Sequence, residues 1–190
     1  MHGATSPVPR EPEPVPVVTL RLEKLKRRDL RHVLRIEGTV FPEPWSPEVF
    51  NSELALRKGR LYRAAWAGEQ LAGYIGFMIV DDEAHMTTIA TAPAFQRAGV
   101  ATTMIVDGIR TLRSGGVRHI SLEVAANNEP AQALYRRFGF APVAVRKNYY
   151  PVTGQDALVM WVYDVDTEGY AQRLEELAAT GMAVEDGRSH

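Results

Sequence analysis

A chain of 190 residues, 45% hydrophobic and 24% charged, is long enough to bury one core without covalent staples and has the balance of a globular domain. A formal net charge of -1 argues against a dedicated nucleic-acid surface while leaving room for a local basic patch, and the absence of cysteine excludes disulfides, thiolate metal sites and an acyl-cysteine intermediate. His2, His32, His85, His119 and His190 have no metal-ligand spacing, and neither a membrane-length apolar run nor an apolar signal core is present, so a cytoplasmic protein is expected.

Residues 1–16 set Pro12, Pro14 and Pro16 among Glu11 and Glu13 and read as a disordered, extended tail. A first strand is expected over Val17–Leu22. A helix follows around Asp29–Val40, with Asp29 as N-cap and Leu30, Val33, Leu34 and Ile36 on its apolar side. Phe41, Pro42, Glu43, Pro44 and Trp45 break it, and Ser46 and Pro47 restart a helix as N-cap and first residue, carrying Val49, Phe50, Leu54 and Leu56. Two short helices across an aromatic, proline-rich elbow could line a groove; Phe41 and Trp45 read equally well as a lid on the core.

Leu61–Trp66 and Leu71–Val80 form a hairpin across Ala67–Gln70. The second strand is apolar at almost every position, as in a sheet covered on both faces. His85–Ala92 continues the meander until Pro93. Gln96, Arg97, Ala98, Gly99, Val100, Ala101 and Thr102 then form a tight turn that opens into a helix over Val100–Arg113. Gly99 can take the positive φ that aims several N–H groups at one point, Ala101 keeps the backbone approachable, and Arg97 adds charge to the positive helix end. The pattern is an anion cradle. It is neither a P-loop, which needs Gly-Lys-Ser/Thr, nor the three-glycine dinucleotide turn.

Ala101, Met104, Ile105, Gly108 and Leu112 make one buried stripe behind the cradle, and Gly115 and Gly116 stop the helix. In the strand Val117–Val124, Ile120, Leu122 and Val124 share one face while His119, Ser121 and Glu123 share the other. Glu123 therefore sits near a strand's carboxyl end, where α/β sheets hold ligands, although a lone glutamate on a polar face is also an ordinary solvated residue. Asn128 reads as the N-cap of a helix whose stripe, Ala131, Leu134, Tyr135 and Phe138, turns Tyr135 inward. On residues alone Tyr135 also reads as a core tyrosine. An amphipathic helix over Glu168–Thr180, with Tyr170, Leu174 and Leu177 inward, is expected to dock on the domain, followed by a loose tail of ten residues. Strands, helix, strand, helix, strands describe an α/β domain with a mixed sheet.

The cradle resembles the pyrophosphate loop of the GNAT superfamily of N-acetyltransferases: Gln or Arg, two variable residues, Gly, one variable residue, then Gly or Ala. Glu123-Val124, Asn128, Ala133-Leu134-Tyr135 and Phe138-Gly139-Phe140 resemble the second half of those enzymes. Together with Pro44-Trp45-Ser46, Asp82-Glu83-Ala84 and Arg146-Lys147-Asn148-Tyr149-Tyr150-Pro151, they resemble most closely the bacterial family that acetylates the N-terminal alanine of a small-subunit ribosomal protein. The resemblance covers residues 17–163 and leaves 164–190 as an extension. It implies the GNAT fold, with a mixed sheet of about seven strands and about four helices, and acetyl-CoA as co-substrate without a metal. It further implies Glu123 as proton acceptor and Tyr135 as proton donor. Acetyl-CoA would be held by the main chain of Ile89, Ala90 and Thr91, by Gln96, Arg97, Ala98, Gly99, Val100, Ala101 and Thr102, and by Asn128. Trp45, Tyr149 and Tyr150 become candidate substrate contacts, and the partner implied is a peptide or protein N-terminus, with neither nucleic acid nor membrane. An acetyltransferase for a small amine or a lysine, and a non-catalytic acyl-CoA-binding module, are the alternatives. Ala125 stands where that family commonly has arginine, and Thr91 where it usually has valine.

The chemistry asks for these residue types. An ammonium cannot attack a thioester, so a carboxylate must take its proton directly or through water. An N-terminal amine, of ordinary pKa about 7.7–8.0, needs less help than a lysine at about 10.4, and a phenol near 10 against a thiol near 8.5 is mismatched by less than about two units.

Overall fold

The computed structural model describes residues 19–185. The proline-glutamate tail, the start of the expected first strand at Val17 and residues 186–190 lie outside the described residues. Seven strands, β1 (Arg21–Lys24), β2 (Arg60–Ala67), β3 (Gln70–Val80), β4 (Glu83–Thr91), β5 (His119–Ala125), β6 (Ala141–Tyr150) and β7 (Gln155–Val162), build one sheet in the order β1-β2-β3-β4-β5-β7-β6. Every neighbouring pair is antiparallel except β4 and β5. Those two are parallel because α3 (Val100–Ser114) carries the chain back across the sheet between them. With α1 (Leu30–Val40), α2 (Pro47–Ala55), α4 (Glu129–Arg137) and α5 (Glu168–Ala178), the described residues hold the expected mixed α/β sheet, four helices and the further C-terminal one. None of these helices is long and apolar enough to cross a membrane.

Local chemistry sets the helix starts. The Ser46 hydroxyl accepts the Val49 N–H at 3.4 Å with Pro47 as first helical residue, and the Asn128 side chain accepts the Ala131 N–H at 3.2 Å. Asp29 behaves differently from the expectation: its carboxylate accepts the Lys26 N–H at 2.9 Å and so closes a short 3-10 turn, Arg27–Asp29, ahead of α1. Asp29 remains the N-cap of α1 by position, but its side chain caps no amide of that helix.

Two cores cover the two faces of the sheet. On one, α3, α4 and α5 pack Met104, Ile105, Ile109, Phe138 and Leu174 against Ile75, Phe77, Ile120 and Leu122. On the other, α1 and α2 pack Val33, Ile36 and Phe50 against Tyr62, Ala64 and Tyr74. β3 is buried on both sides, which is why its sequence does not alternate. At Gly76 a Cβ would overlap the Tyr62 ring from the neighbouring strand. Gly76→Ala should therefore destabilise the fold by about 2 kcal/mol, lowering Tm by roughly 4–8 °C in a calorimetric scan; an unchanged Tm would mean that this contact is slack.

The C-terminal end differs from the loose tail expected. α5 docks on the domain, with the Tyr170 hydroxyl donating to the Phe138 carbonyl at 2.8 Å, and it stops at Ala178 rather than Thr180. Residues 181–185 then bond to both the sheet edge and α3. Leu20 donates to the Ala183 carbonyl at 2.8 Å, Glu185 donates back to Leu20 at 2.9 Å, and the Met182 N–H donates to the Thr103 hydroxyl at 2.8 Å. The backbone groups of Leu20, fully buried beside β1, need partners, and this segment supplies them.

One irregularity opens the sheet. β4 and β5 pair only from Glu83↔His119 to Met86↔Leu122. Immediately beyond, β4 carries an extra residue, Thr87, in its ladder with β3, between Met86↔Phe77 and Thr88↔Gly76. The bulge turns β4 away. Thr87–Thr91 and Glu123–Ala125 consequently face each other across a gap while each strand stays paired on its other side.

Candidate active site

The cradle lies at the end of this gap. Arg97 and Gly99 both take left-handed backbone, at φ 65° and 92°, so the turn curls its amides toward one point. The first α3 amide bonded within the helix is Thr103, donating to the Gly99 carbonyl at 3.0 Å; those of Ala98, Gly99, Val100, Ala101 and Thr102 have no acceptor among the described residues. Gly99 also backs onto the C-terminal segment: a Cβ there would stand 3.2 Å from the backbone of Gly181 and Met182. The Gln96 side chain reaches the Thr91 carbonyl at 3.5 Å and ties the turn to the end of β4. Asn128 caps α4 as expected.

Hydrogen-bond alternation sorts the predicted β4 contacts. Ala92 donates to Ala72 at 2.8 Å, so Ala90 also spends its peptide groups on β3, and the N–H groups of Ile89 and Thr91 point into the gap. Of the three expected main-chain contacts, two therefore have free donors.

Glu123 and Tyr135 lie on opposite faces of β5. The Glu123 side chain belongs to the α1/α2 side, whereas Tyr135, 7% exposed, sits in the α3/α4 core with its ring 6.0 Å from Phe140. In a sheet paired along its whole length a wall would separate them and no reaction could join them. Here the β4–β5 ladder ends at Met86↔Leu122, one residue short of Glu123, so no strand pairing closes the sheet between the two rims. The Tyr135 hydroxyl makes no hydrogen bond to the protein among the described residues, and burial pushes its pKa well above the ordinary phenol range. Tyr150 links the rims: burial, and after it the neighbouring Tyr149, Glu123 and Glu43, together push it up to about 12, and it in turn raises Tyr135.

Two partners of Glu123 were not assigned a role from sequence. His85 Nε2 stands 2.8 Å from one carboxylate oxygen and Arg146 Nη1 3.1 Å from the other. The His85 hydrogen bond, with Arg146 beside it, holds the Glu123 carboxyl below the usual carboxylate range in spite of burial. Arg146 also lies over the Tyr149 ring, 5.6 Å from its centroid. Arg146 opens the Arg146–Pro151 motif, and its place beside Tyr149 and Tyr150 is the sequence signal for it. His85 carried no signal, since its neighbour depends on strand register.

The expected substrate contacts border the Glu123 rim. Tyr149 and Tyr150 meet edge to face at 5.1 Å, and the Val152 N–H donates to Glu43 at 2.7 Å, tying their hairpin to the elbow. Trp45 fits the reading of a lid on the core: its ring packs on Phe50 at 5.3 Å, and its backbone N–H donates to buried Glu37 at 3.0 Å, the same carboxylate that accepts the Tyr74 hydroxyl. Among the described residues no group of side chains could hold a metal ion.

The stretch that carries the cradle and the parted strand pair, residues 30–140, is matched by the family model of the Acetyltransferase (GNAT) family. The chain belongs to the GNAT acetyltransferase family. GNAT relatives agree along most of its length. The ribosomal protein bS18-alanine N-acetyltransferase of Escherichia coli is 33% identical over 73% of this chain and 94% of its own. N-alpha-acetyltransferase RimI of Mycobacterium tuberculosis is 36% identical over 72% and 87%. The crystal structure of the ribosomal-protein-S18-alanine N-acetyltransferase from Escherichia coli superposes with a TM-score of 0.72 at 26% identity, covering 90% of this chain and 99% of that one. The GNAT fold is shared with Arabidopsis thaliana NAA60, crystallised in complex with acetyl-CoA, at a TM-score of 0.68 and 20% identity over 76% and 98% of the two chains. This GNAT chain is an N-acetyltransferase.

Proposed function

We propose that the chain transfers the acetyl group of acetyl-CoA directly, without an acyl-enzyme, to the N-terminal α-amine of a ribosomal protein that begins with alanine. The observation that carries this is the opening between β4 and β5, with an ionised carboxylate on one rim, a free phenol on the other and unpaired amides at its end. The relatives that act on ribosomal protein bS18 support the choice of acceptor.

Each group has one task. The amides of Ala98–Thr102 bind diphosphate, helped by the α3 dipole, and the pantetheine arm follows the free edge of β4. The N–H of Ile89 or Thr91 is placed to take the oxyanion that develops on the thioester carbonyl. The acceptor enters from the rim of Tyr149, Tyr150 and Trp45, and Glu123 takes its proton through water. Tyr135 faces the departing sulfur. Because burial raises its phenol, it is protonated at neutral pH and donates to the departing thiolate, the role of the proton donor. Tyr135→Phe should lower kcat roughly 10- to 100-fold, the worth of one hydrogen bond to a charged group. The calorimetric Kd for acetyl-CoA should hold within about twofold, and an unaltered kcat would remove this role.

The reading as a whole is tested by tandem mass spectrometry of peptides incubated with the protein and acetyl-CoA. An alanine-starting ribosomal peptide should gain one acetyl group on its terminal nitrogen. Acetylation of lysines alone, or of a small amine in preference to any peptide, would replace the acceptor proposed.

A further inference from the structure

Glu123 is aimed by a hydrogen-bonded chain that begins in the closed part of the sheet. His85 and Ser121 are direct partners in the β4–β5 ladder, one pair before it ends at Met86↔Leu122, and Glu123 follows Ser121 by two residues on the same face of β5. The Ser121 hydroxyl lies 2.9 Å from His85 Nδ1, and His85 Nε2 lies 2.8 Å from the Glu123 carboxylate.

The contact to Glu123 fixes one role: a bare ring nitrogen against an ionised oxygen would repel it, so Nε2 carries a proton and donates it, while Nδ1 is held by the Ser121 hydroxyl, which can rotate to donate or to accept. We infer that His85, oriented by Ser121, is a positioning residue that holds the Glu123 carboxylate toward the β4/β5 gap, ready for the proton of the acceptor amine. This rests on the reading of Glu123 as proton acceptor.

A serine, histidine and glutamate in line also have the composition of a nucleophile relay, but the geometry does not allow one here. Ser121 is 8% exposed and lies where β4 and β5 are still paired, so no thioester carbonyl reaches its oxygen. The chain therefore acts toward the open end, at Glu123. Arg146 from β6 supports the second carboxylate oxygen, and Tyr149 and Tyr150 are the other titratable groups facing the pair. His85 is the largest cause of the low carboxyl pKa of Glu123, in keeping with this role.

The amides of glutamine and asparagine separate the two ring nitrogens of His85, because a glutamine amide reaches the Nε2 position and an asparagine amide only the Nδ1 position. In the full chain, with acetyl-CoA and the alanine-starting peptide, His85→Ala should lower kcat about tenfold, the worth of one charge-assisted hydrogen bond, with KM for acetyl-CoA unchanged. His85→Gln should recover kcat to within about threefold, and His85→Asn should stay as slow as alanine. Added to Glu123→Gln, His85→Ala should cost nothing further, since the two act through one carboxylate. Equal activity of the Gln and Asn variants, full activity of His85→Ala, or an additive loss in the Glu123→Gln background would each overturn the positioning role. Full activity of Glu123→Gln alone would instead overturn the acceptor assignment, and this inference with it.

Discussion

Glu123→Gln should lower kcat by about 100-fold or more, the usual worth of a positioned general base, with KM for acetyl-CoA within about twofold. The amide keeps the shape and can still receive a hydrogen bond from His85, so what is lost is the capacity to take a proton. The pH profile separates this carboxylate from the amine it serves. Glu123 is held below the ordinary carboxylate range, so it stays ionised from neutral pH down past that range. The acid limb of kcat/KM therefore belongs to the acceptor amine, which ordinarily titrates at about 7.7–8.0, and the rate should fall about tenfold per unit of pH below it. Stability follows the sign of the same shift. A depressed folded pKa means that the Glu123 carboxylate stabilises the fold above its unfolded pKa and loses that contribution as pH falls through the folded value. The Glu123→Gln protein should be less stable than the parent at pH 7, and the difference should vanish on acidification. A stability gap that persists in acid would assign the loss to packing.

The second large effect is expected at the cradle. Gly99→Val should weaken acetyl-CoA binding roughly 10- to 100-fold by titration calorimetry, because two costs coincide. A β-branched residue at φ 92° is strained, and its Cβ would press at 3.2 Å on the backbone of Gly181 and Met182. Either the turn unwinds or the C-terminal segment is pushed aside, and the free amides of Ala98–Thr102 lose their common aim in both cases. The fold should survive, since the α3 stripe of Met104, Ile105, Ile109 and Leu112 lies elsewhere. Wild-type affinity in this variant would show that the amides are not the anchor.

Much of this site was legible in the chain because its parts are local. The cradle needs one glycine at a helix start, the stripe of α4 places Tyr135 inward, and the alternation of β5 sets Glu123 apart from Leu122 and Val124. These patterns depend on neighbours within about seven positions. What sequence did not disclose is set by pairing across the sheet. That His85 meets Ser121 follows from a parallel register spanning thirty-six positions, and no local pattern encodes it. The bulge at Thr87 is likewise invisible, although the β4–β5 ladder ends beside it and leaves Glu123 beyond the last paired residues. The ordered run of residues 181–185 is a third case. Its composition reads as a loose end, and its order comes from the backbone of Leu20 and the Thr103 hydroxyl, both far away in sequence. Asp29 is the N-cap of α1 as its position suggests, but a local competition gives its carboxylate to the Lys26 amide instead of to α1.

The whole mechanism turns on the thioester reaching the opening between β4 and β5. The most direct measurement is the structure of the protein crystallised with a ketone analogue of acetyl-CoA, in which a methylene replaces the thioester sulfur and leaves no bond for transfer to break. Diphosphate is expected on the amides of Ala98–Thr102, the ketone oxygen on the N–H of Ile89 or Thr91, and the acetyl carbon between Tyr135 and Glu123. An analogue lying along the outside of α3 or α4, with the opening filled by side chains, would contradict it.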